Sequence, residues 1–194
     1  PHGQANTSDL VELMASRRSC RNYKSEPVPR HVLTDLVKIG LTAPSGTNSQ
    51  RWQFTVLPNR DAVEAMGERV AKFYRILNWV SERRLLRIGD RWLAKGELNA
   101  YYEEFHDRIR DGLDEWERGG RERLFHGATA GILVSSREGA SCPSEDALLA
   151  TQNILLAAHA MGLGTCLVGF AVQAMLLDPR IPNWLGFEKG EKVH

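Results

Sequence analysis

Residues 154–172 read ILLAAHAMGLGTCLVGFAV, an apolar run long enough to cross a bilayer as one helix. The glycines argue against that reading. Gly162, Gly164 and Gly169 break the helical pattern, and His159 interrupts it with a polar ring. The run divides into a buried helix ending near Met161, a glycine stop with Gly162 as C-cap, and a buried strand at Thr165–Gly169. Pro143-Ser144-Glu145-Asp146 opens the helix with a capping hydroxyl and first-turn acids. Its apolar residues lie nearly all round, which predicts a central position. The 194 residues suffice for one domain with a real core and no disulfides or metal.

Charge is the second constraint. Of the 67 residues from 60 to 126, 28 are charged, against 21 in the remaining 127. The chain is an apolar body with a charged helical insertion at about 60–126. The net charge of +1 argues against a nucleic-acid binder, and no membrane partner is expected. Cys20, Cys142 and Cys166 are widely spaced with no CxxC pair, which fits a reducing, cytoplasmic compartment. The sequence opens on Pro1 with no charged-then-apolar leader, which leaves room for a missing upstream piece.

Periodicity predicts a first helix capped by Ser8 or Asp9 with Leu10, Val11, Leu13 and Met14 inward, and a second from Pro29 with Val32, Leu33, Leu36 and Val37 inward. It predicts a strand at 52–56, helices at 60–79, 81–95 and 97–117, a buried strand at 131–134, and a short helix at 171–177. Another strand starts at Val193-His194. Helices and strands mixed in this way predict an α+β sandwich, a sheet covered by helices, as a single domain.

Three clusters can carry chemistry. Arg17-Arg18-Ser19-Cys20-Arg21 supplies guanidinium groups and a hydroxyl for a phosphate, or else cations complementing a helix C-terminus. Pro44-Ser45-Gly46-Thr47-Asn48-Ser49-Gln50-Arg51-Trp52 packs small polar donors between a helix and a strand, suited to a phosphate or a planar polar edge, or else forms an ordinary turn. Gly162 through Phe170 sets glycines where a ligand can approach the backbone, Gly169 above all.

Taken in order, RRSCR at 17–21, Pro27-Val28-Pro29, the PSGTNSQRW run at 44–52 and Gln152-Asn153 through Cys166 resemble the nitroreductase family of flavin enzymes. The resemblance implies an α+β sandwich with a mainly antiparallel central sheet, forming a homodimer that binds FMN at its interface. Arg17 and Ser19 would hold the FMN phosphate and ribityl end, with Arg18 beside them, and Arg21 would sit near the N1/O2 edge. Pro44, Ser45, Gly46, Asn48 and Gln50 complete the set, Ser45 and Asn48 from the other subunit. The backbone of Val168, Gly169 and Phe170 would face N5/O4. Arg121 or Arg123 would supply a further cation. A cation at N1/O2 stabilises reduced flavin, and the flavin carries the chemistry, so no catalytic triad is expected.

The implied activity is ping-pong transfer from NADH or NADPH to a small-molecule substrate such as a nitroaromatic or quinone. The alternative is a flavin-binding or redox-sensing module without efficient turnover. An electron-donor protein, or an upstream ferredoxin-like domain as in some family members, is a further partner the sequence leaves open. Departures are Arg51 where the family often has proline, Gly169-Phe170 in place of Gly-Gly or Glu-Gly, and no basic C-terminal residues after His194.

Other signals read as structural. Glu103-x-x-His106 lacks the second motif a di-iron site needs. His159 reads as a satisfied core histidine, Cys166 as a small apolar group and Cys20 as structural. Arg83, Arg87, Arg91 and Lys95 form a positive stripe that either faces some of the acids Glu103, Glu104, Asp107, Asp111, Asp114 and Glu115 across a turn at Gly96, or is one of two solvated faces that never meet, or recruits the phosphate of NADPH or an acidic electron-donor protein.

Overall fold

In the computed structural model, residues 6–93 and 96–194 are described. β1 (Trp52–Leu57) and β2 (Gly131–Ser136) pair antiparallel, with Phe54 opposite Val134 and Leu57 opposite Gly131. β3 (Lys192–Val193) adds to the other edge of β2, with Ser135 opposite Val193. Side chains alternate across the sheet. Phe54, Ile132 and Val134 point to one layer; Leu57, Leu133 and Val193 point to the other.

The first layer is α2 (Arg30–Gly40) and α7 (Pro143–Ala160), joined through Leu36, Ala147, Ala150 and Ile154. The second holds α3 (Arg60–Ser81), α6 (His106–Glu117), α8 (Gly169–Leu177) and α9 (Arg180–Trp184) around Met66, Val70, Tyr74, Leu113, Ala174 and Ile181. This is the expected sandwich. The charged middle supplies α3 to α6, and α3 keeps Val63, Met66, Val70 and Tyr74 on its inner face, so its charges lie outward while it builds the core.

Several expectations change. Thr165–Gly169 is not a strand: among the described residues only Thr165 finds a backbone bridge partner, Ser19, in an isolated parallel bridge. The helix-forming run after it draws the start of α8 back to Gly169. The expected helix at 97–117 divides at Phe105, whose φ of −120° separates α5 (Glu97–Glu104) from α6. Finally, α7 is covered on one face only. Leu148 and Leu149 are 58% and 45% exposed. α1 (Thr7–Ser16) is capped by Asn6, whose side chain accepts the Ser8 amide, rather than by Ser8 or Asp9, and its expected inward face is open: it buries no residue and leaves Leu10, Val11 and Met14 exposed.

The positive stripe also resolves differently. Arg83 precedes α4 (Arg84–Leu93) and lies 3.1 Å over the Trp79 ring; Arg87 lies 3.8 Å over Tyr102 of α5. α4 and α5 do pack together, but through the Arg87–Tyr102 contact and through Asp90, whose Oδ2 accepts the Leu98 amide at 2.9 Å, while Arg83 stays on Trp79 of α3. Asp107 and Asp111 pair with Arg110, Asp114 with Arg118, and Glu115 with Arg123. The Arg91 side chain and Lys95 lie outside the described residues. Among the described residues, no helix is long and apolar enough to cross a membrane.

Candidate functional site

The arginine cluster leaves α1 as an extended arm. Arg17 caps the helix with extended backbone, and the Arg18 guanidinium turns back to the carbonyls of Ala15 and Arg17 at 2.5 and 3.0 Å. Arg18 therefore serves the helix C-terminus, the plainer of its two readings. The side chains of Arg17 and Arg21 have no protein partner among the described residues, leaving two guanidinium groups unclaimed.

The arm is held against residues 164–166. The Cys20 amide donates to the Thr165 carbonyl at 2.8 Å beside the Ser19–Thr165 bridge. Gly164 permits this approach: a Cβ there would lie 2.8 Å from both Cβ and Sγ of Cys20. Tyr23 packs against the same place, and burial, with Cys166 and Cys20 nearby, pushes its phenol up to about 12. Sequence-distant motifs are thus brought together, and the arm leads to the N-terminus of α8. There the Val168, Gly169 and Phe170 amides have no protein acceptor among the described residues, and nothing lies within 4 Å of a Cβ placed on Gly169. Free amides at a helix N-terminus favour an anionic or acceptor-rich ligand edge.

A saddle from the charged middle braces the arm. The Glu122 carboxylate accepts from the amides of Leu124, Phe125 and Gly127, and Thr129 Oγ1 donates to the Glu26 carbonyl at 3.1 Å. Arg121 donates to the Arg21 carbonyl, whereas Arg123 pairs with Glu115 at 2.6 Å. Of the two arginines, Arg121 stands at the arm. His126 holds φ +57°; burial lowers its pKa, with Arg121 and Arg21 adding to the shift and Glu122 opposing it.

The second polar cluster lies elsewhere. Ser45 precedes a single 3-10 turn, Gly46–Asn48, and Ser45 Oγ accepts the Gln50 amide at 3.0 Å. Thr47, Asn48 and Gln50 have φ of +51°, +55° and +48°, three left-handed residues that lack glycine's freedom. The Asp146 carboxylate, in the first turn of α7 and 3% exposed, accepts the Gly46 amide at 2.8 Å. Ser141 Oγ donates to the Gly46 carbonyl at 2.7 Å. Asp146 was legible only as a first-turn acid; its role in holding the loop comes from a contact 100 residues distant.

The two clusters do not meet in one chain. The loop sits on Asp146 at one end of α7. The arm begins where Ser16 Oγ meets His159 Nε2 at 2.8 Å, at the other end. Thirteen helical residues separate these anchors, about 20 Å. His159 is satisfied, as expected, but only half-buried rather than core.

Another contact set surrounds the start of α8. Tyr74 donates to the Phe170 carbonyl at 2.9 Å, and the Phe170 ring meets Tyr74 and Phe105 edge-on at 5.7 and 5.9 Å. Burial raises the phenols of Tyr74 and Tyr101, so both remain O–H donors. The reading of 60–79 as a charged helix gave no sign of this role for Tyr74. His106, flagged by its spacing to Glu103, is buried between Asp107 at 2.9 Å and Glu82 at 3.3 Å.

Comparison with known proteins adds family context. The chain is 26% identical over 156 residues to the iodotyrosine deiodinase of Thermotoga neapolitana, covering 80% of this chain and 71% of that one. It is 28% identical over 180 residues to the 4-nitrobenzoate reductase of a Nocardioides species, covering 86% and 68%. Against rat iodotyrosine deiodinase 1 it is 33% identical over 88 residues, 45% of this chain and only 29% of the relative. Among solved structures, a Bacteroides fragilis nitroreductase with bound FMN superposes with a TM-score of 0.67 at 22% identity, covering 95% of this chain and 83% of that one. The nitroreductase family model matches residues 14–193, and the chain belongs to that family.

Proposed function

We propose that the protein is an FMN-dependent oxidoreductase acting as a homodimer in the cytoplasm, passing electrons from NADH or NADPH to an aromatic acceptor. The observation that carries this reading is the pairing of the arm at Ser19–Cys20 with Thr165, which joins unclaimed cations to unclaimed α8 amides. Those groups fit FMN. Arg17 and Ser19 would take the phosphate and ribityl end, Arg21 the N1/O2 edge, and the Val168 and Gly169 amides the N5/O4 edge. The separation along α7 supports a second copy: its Ser45 and Asn48 would complete each site. The open apolar faces of α1 and α7 are then the surfaces such a dimer would cover.

When bound, the flavin supplies hydride acceptance and redelivery. This chain's Arg17 and Ser19 would anchor it, and Arg21 would stabilise the negative charge of its reduced form. The turnover balances as NAD(P)H, a proton and a nitro group giving NAD(P)+, a nitroso group and water. The deiodinase relatives favour a second acceptor class, an aryl iodide, in which NAD(P)H and the carbon–iodine bond give NAD(P)+, a carbon–hydrogen bond and iodide.

Incubation with FMN followed by gel filtration tests the cofactor, and a colourless protein overturns the proposal. Stopped-flow mixing with NADH and NADPH separates an enzyme, whose flavin bleaches rapidly, from a binding module, whose flavin does not. A flavin-loaded monomer in sedimentation at micromolar concentration contradicts the shared site.

A further inference from the structure

We infer that Arg108 is a specificity-determining residue that selects an anionic aromatic acceptor, an inference resting on the flavin site proposed at Val168–Phe170. α6 is rich in acids, and its ion pairs are allocated locally. Arg110 takes both Asp107, at 3.1 Å, and Asp111, at 3.2 Å. Asp114 goes to Arg118, Glu115 to Arg123, and Glu117 to Arg75. Arg108 has Glu104 and Asp111 within one helical turn, yet it makes no ion pair among the described residues. Its guanidinium lies instead over two rings, 5.7 Å from the Phe105 centroid and 6.0 Å from the Phe170 centroid.

That position is meaningful because Phe170 is fixed. Its carbonyl is held by Tyr74, and its ring is wedged between Tyr74 and Phe105. The next residue back is Gly169, exposed and with open space around it. An exposed cation therefore lies 6.0 Å from the ring centroid of Phe170, the residue that follows the open Gly169 backbone where the flavin edge would lie. A guanidinium offers a planar fork that matches a carboxylate with two charge-assisted hydrogen bonds. Rings beside it receive an aromatic body edge-on or offset. The ligand that uses both features at once is an aromatic ring bearing a carboxylate, its reducible group directed away from Arg108 toward the flavin edge.

Calorimetric titration of the FMN-loaded protein with 4-nitrobenzoate and with neutral 4-nitrobenzyl alcohol tests this, using wild type and Arg108→Gln. The wild type binds the anion more tightly than the alcohol, by a margin that shrinks as salt is raised. In the variant the ratio of the two dissociation constants collapses by about tenfold or more, the range expected for a lost hydrogen bond between charged groups. Thermal melting of both proteins reports that the fold is kept. A ratio unchanged within twofold, or a wild type with no preference for the anion, overturns the assignment. A protein that takes up no FMN instead overturns the proposed function, and the same titration of the flavin-free protein then still decides the role of Arg108.

Discussion

Replacing Gly164 by alanine tests the contact that joins the arm to the glycine segment. Gly164 is not in the left-handed region, so alanine is compatible with its backbone and the effect is steric. The added Cβ would lie 2.8 Å from both Cβ and Sγ of Cys20, with Tyr23 Cε1 at 3.7 Å. The sulfur can rotate away; Cβ of Cys20 moves only with the arm. Overpacking of this kind costs about 1–3 kcal/mol, and the stiffer unfolded chain returns about 0.4–1 kcal/mol. At the midpoints of these ranges the net loss is about 1.3 kcal/mol, which lowers the melting temperature of a chain this size by about 3–5 °C. Displacing the arm also moves Arg21 and Ser19, so FMN affinity falls more than stability does. The double variant with Cys20→Gly removes the clashing atoms, and urea unfolding of the cycle then shows a favourable coupling of about 1 kcal/mol or more. Losses that add within about 0.5 kcal/mol refute the contact, because independent sites behave in that way.

Asp146→Ala strips the Gly46 amide of its buried acceptor and costs about 1.5–3 kcal/mol in urea unfolding, whereas Asp146→Asn keeps an acceptor and costs less; equal losses contradict the role of the carboxylate in holding the loop. Tyr74→Phe keeps the ring packing and removes the donor to Phe170, lowering stability by about 1 kcal/mol and shifting the visible spectrum of bound FMN; an unaltered spectrum separates α8 positioning from packing alone. The His126 pKa is lowered in the fold, so the unfolded chain binds more protons below about pH 6.5, and stability falls as pH drops through that range; His126→Asn, which tolerates the left-handed backbone, flattens that slope in unfolding measured from pH 7 to 5.

What the sequence made legible follows from the range over which each residue acts. The arm and the polar loop are concentrations of unusual residues along the chain, so Arg17, Ser19, Ser45 and Asn48 stand out without a structure. Asp146 and Tyr74 act across the fold, on Gly46 and Phe170, and a capping acid or an aromatic on a charged helix looks ordinary until its distant partner is known. Thr165–Gly169 reads as a strand because a short apolar run satisfies a strand or a helix approach equally, and long-range pairing decides between them. Here Thr165 pairs with Ser19 of the arm in an isolated bridge, and the run turns into α8 at Gly169.

α7 shows the same limit from the opposite side. Apolar residues all round a helix state that every face prefers to leave water, but they do not state which chain covers each face. Within this chain Ala147, Ala150, Ile154 and Ala158 meet α2 and the sheet, while Leu148 and Leu149 stay open. The open face lies between the two ends of α7 at which the loop and the arm are anchored. A second copy laid along it would remove these leucines from water and carry its own loop toward the first copy's arm. The expectation of a central helix and the expectation of a shared cofactor site therefore rest on one arrangement. A charge placed on that face by Leu148→Asp discriminates between the two ways of reading α7. If the face is an interface, the variant yields monomers in sedimentation and loses FMN affinity, although Leu148 is far from the arm of its own chain. If it is a solvated surface, oligomeric state and flavin content stay as in wild type, and the shared site fails with them.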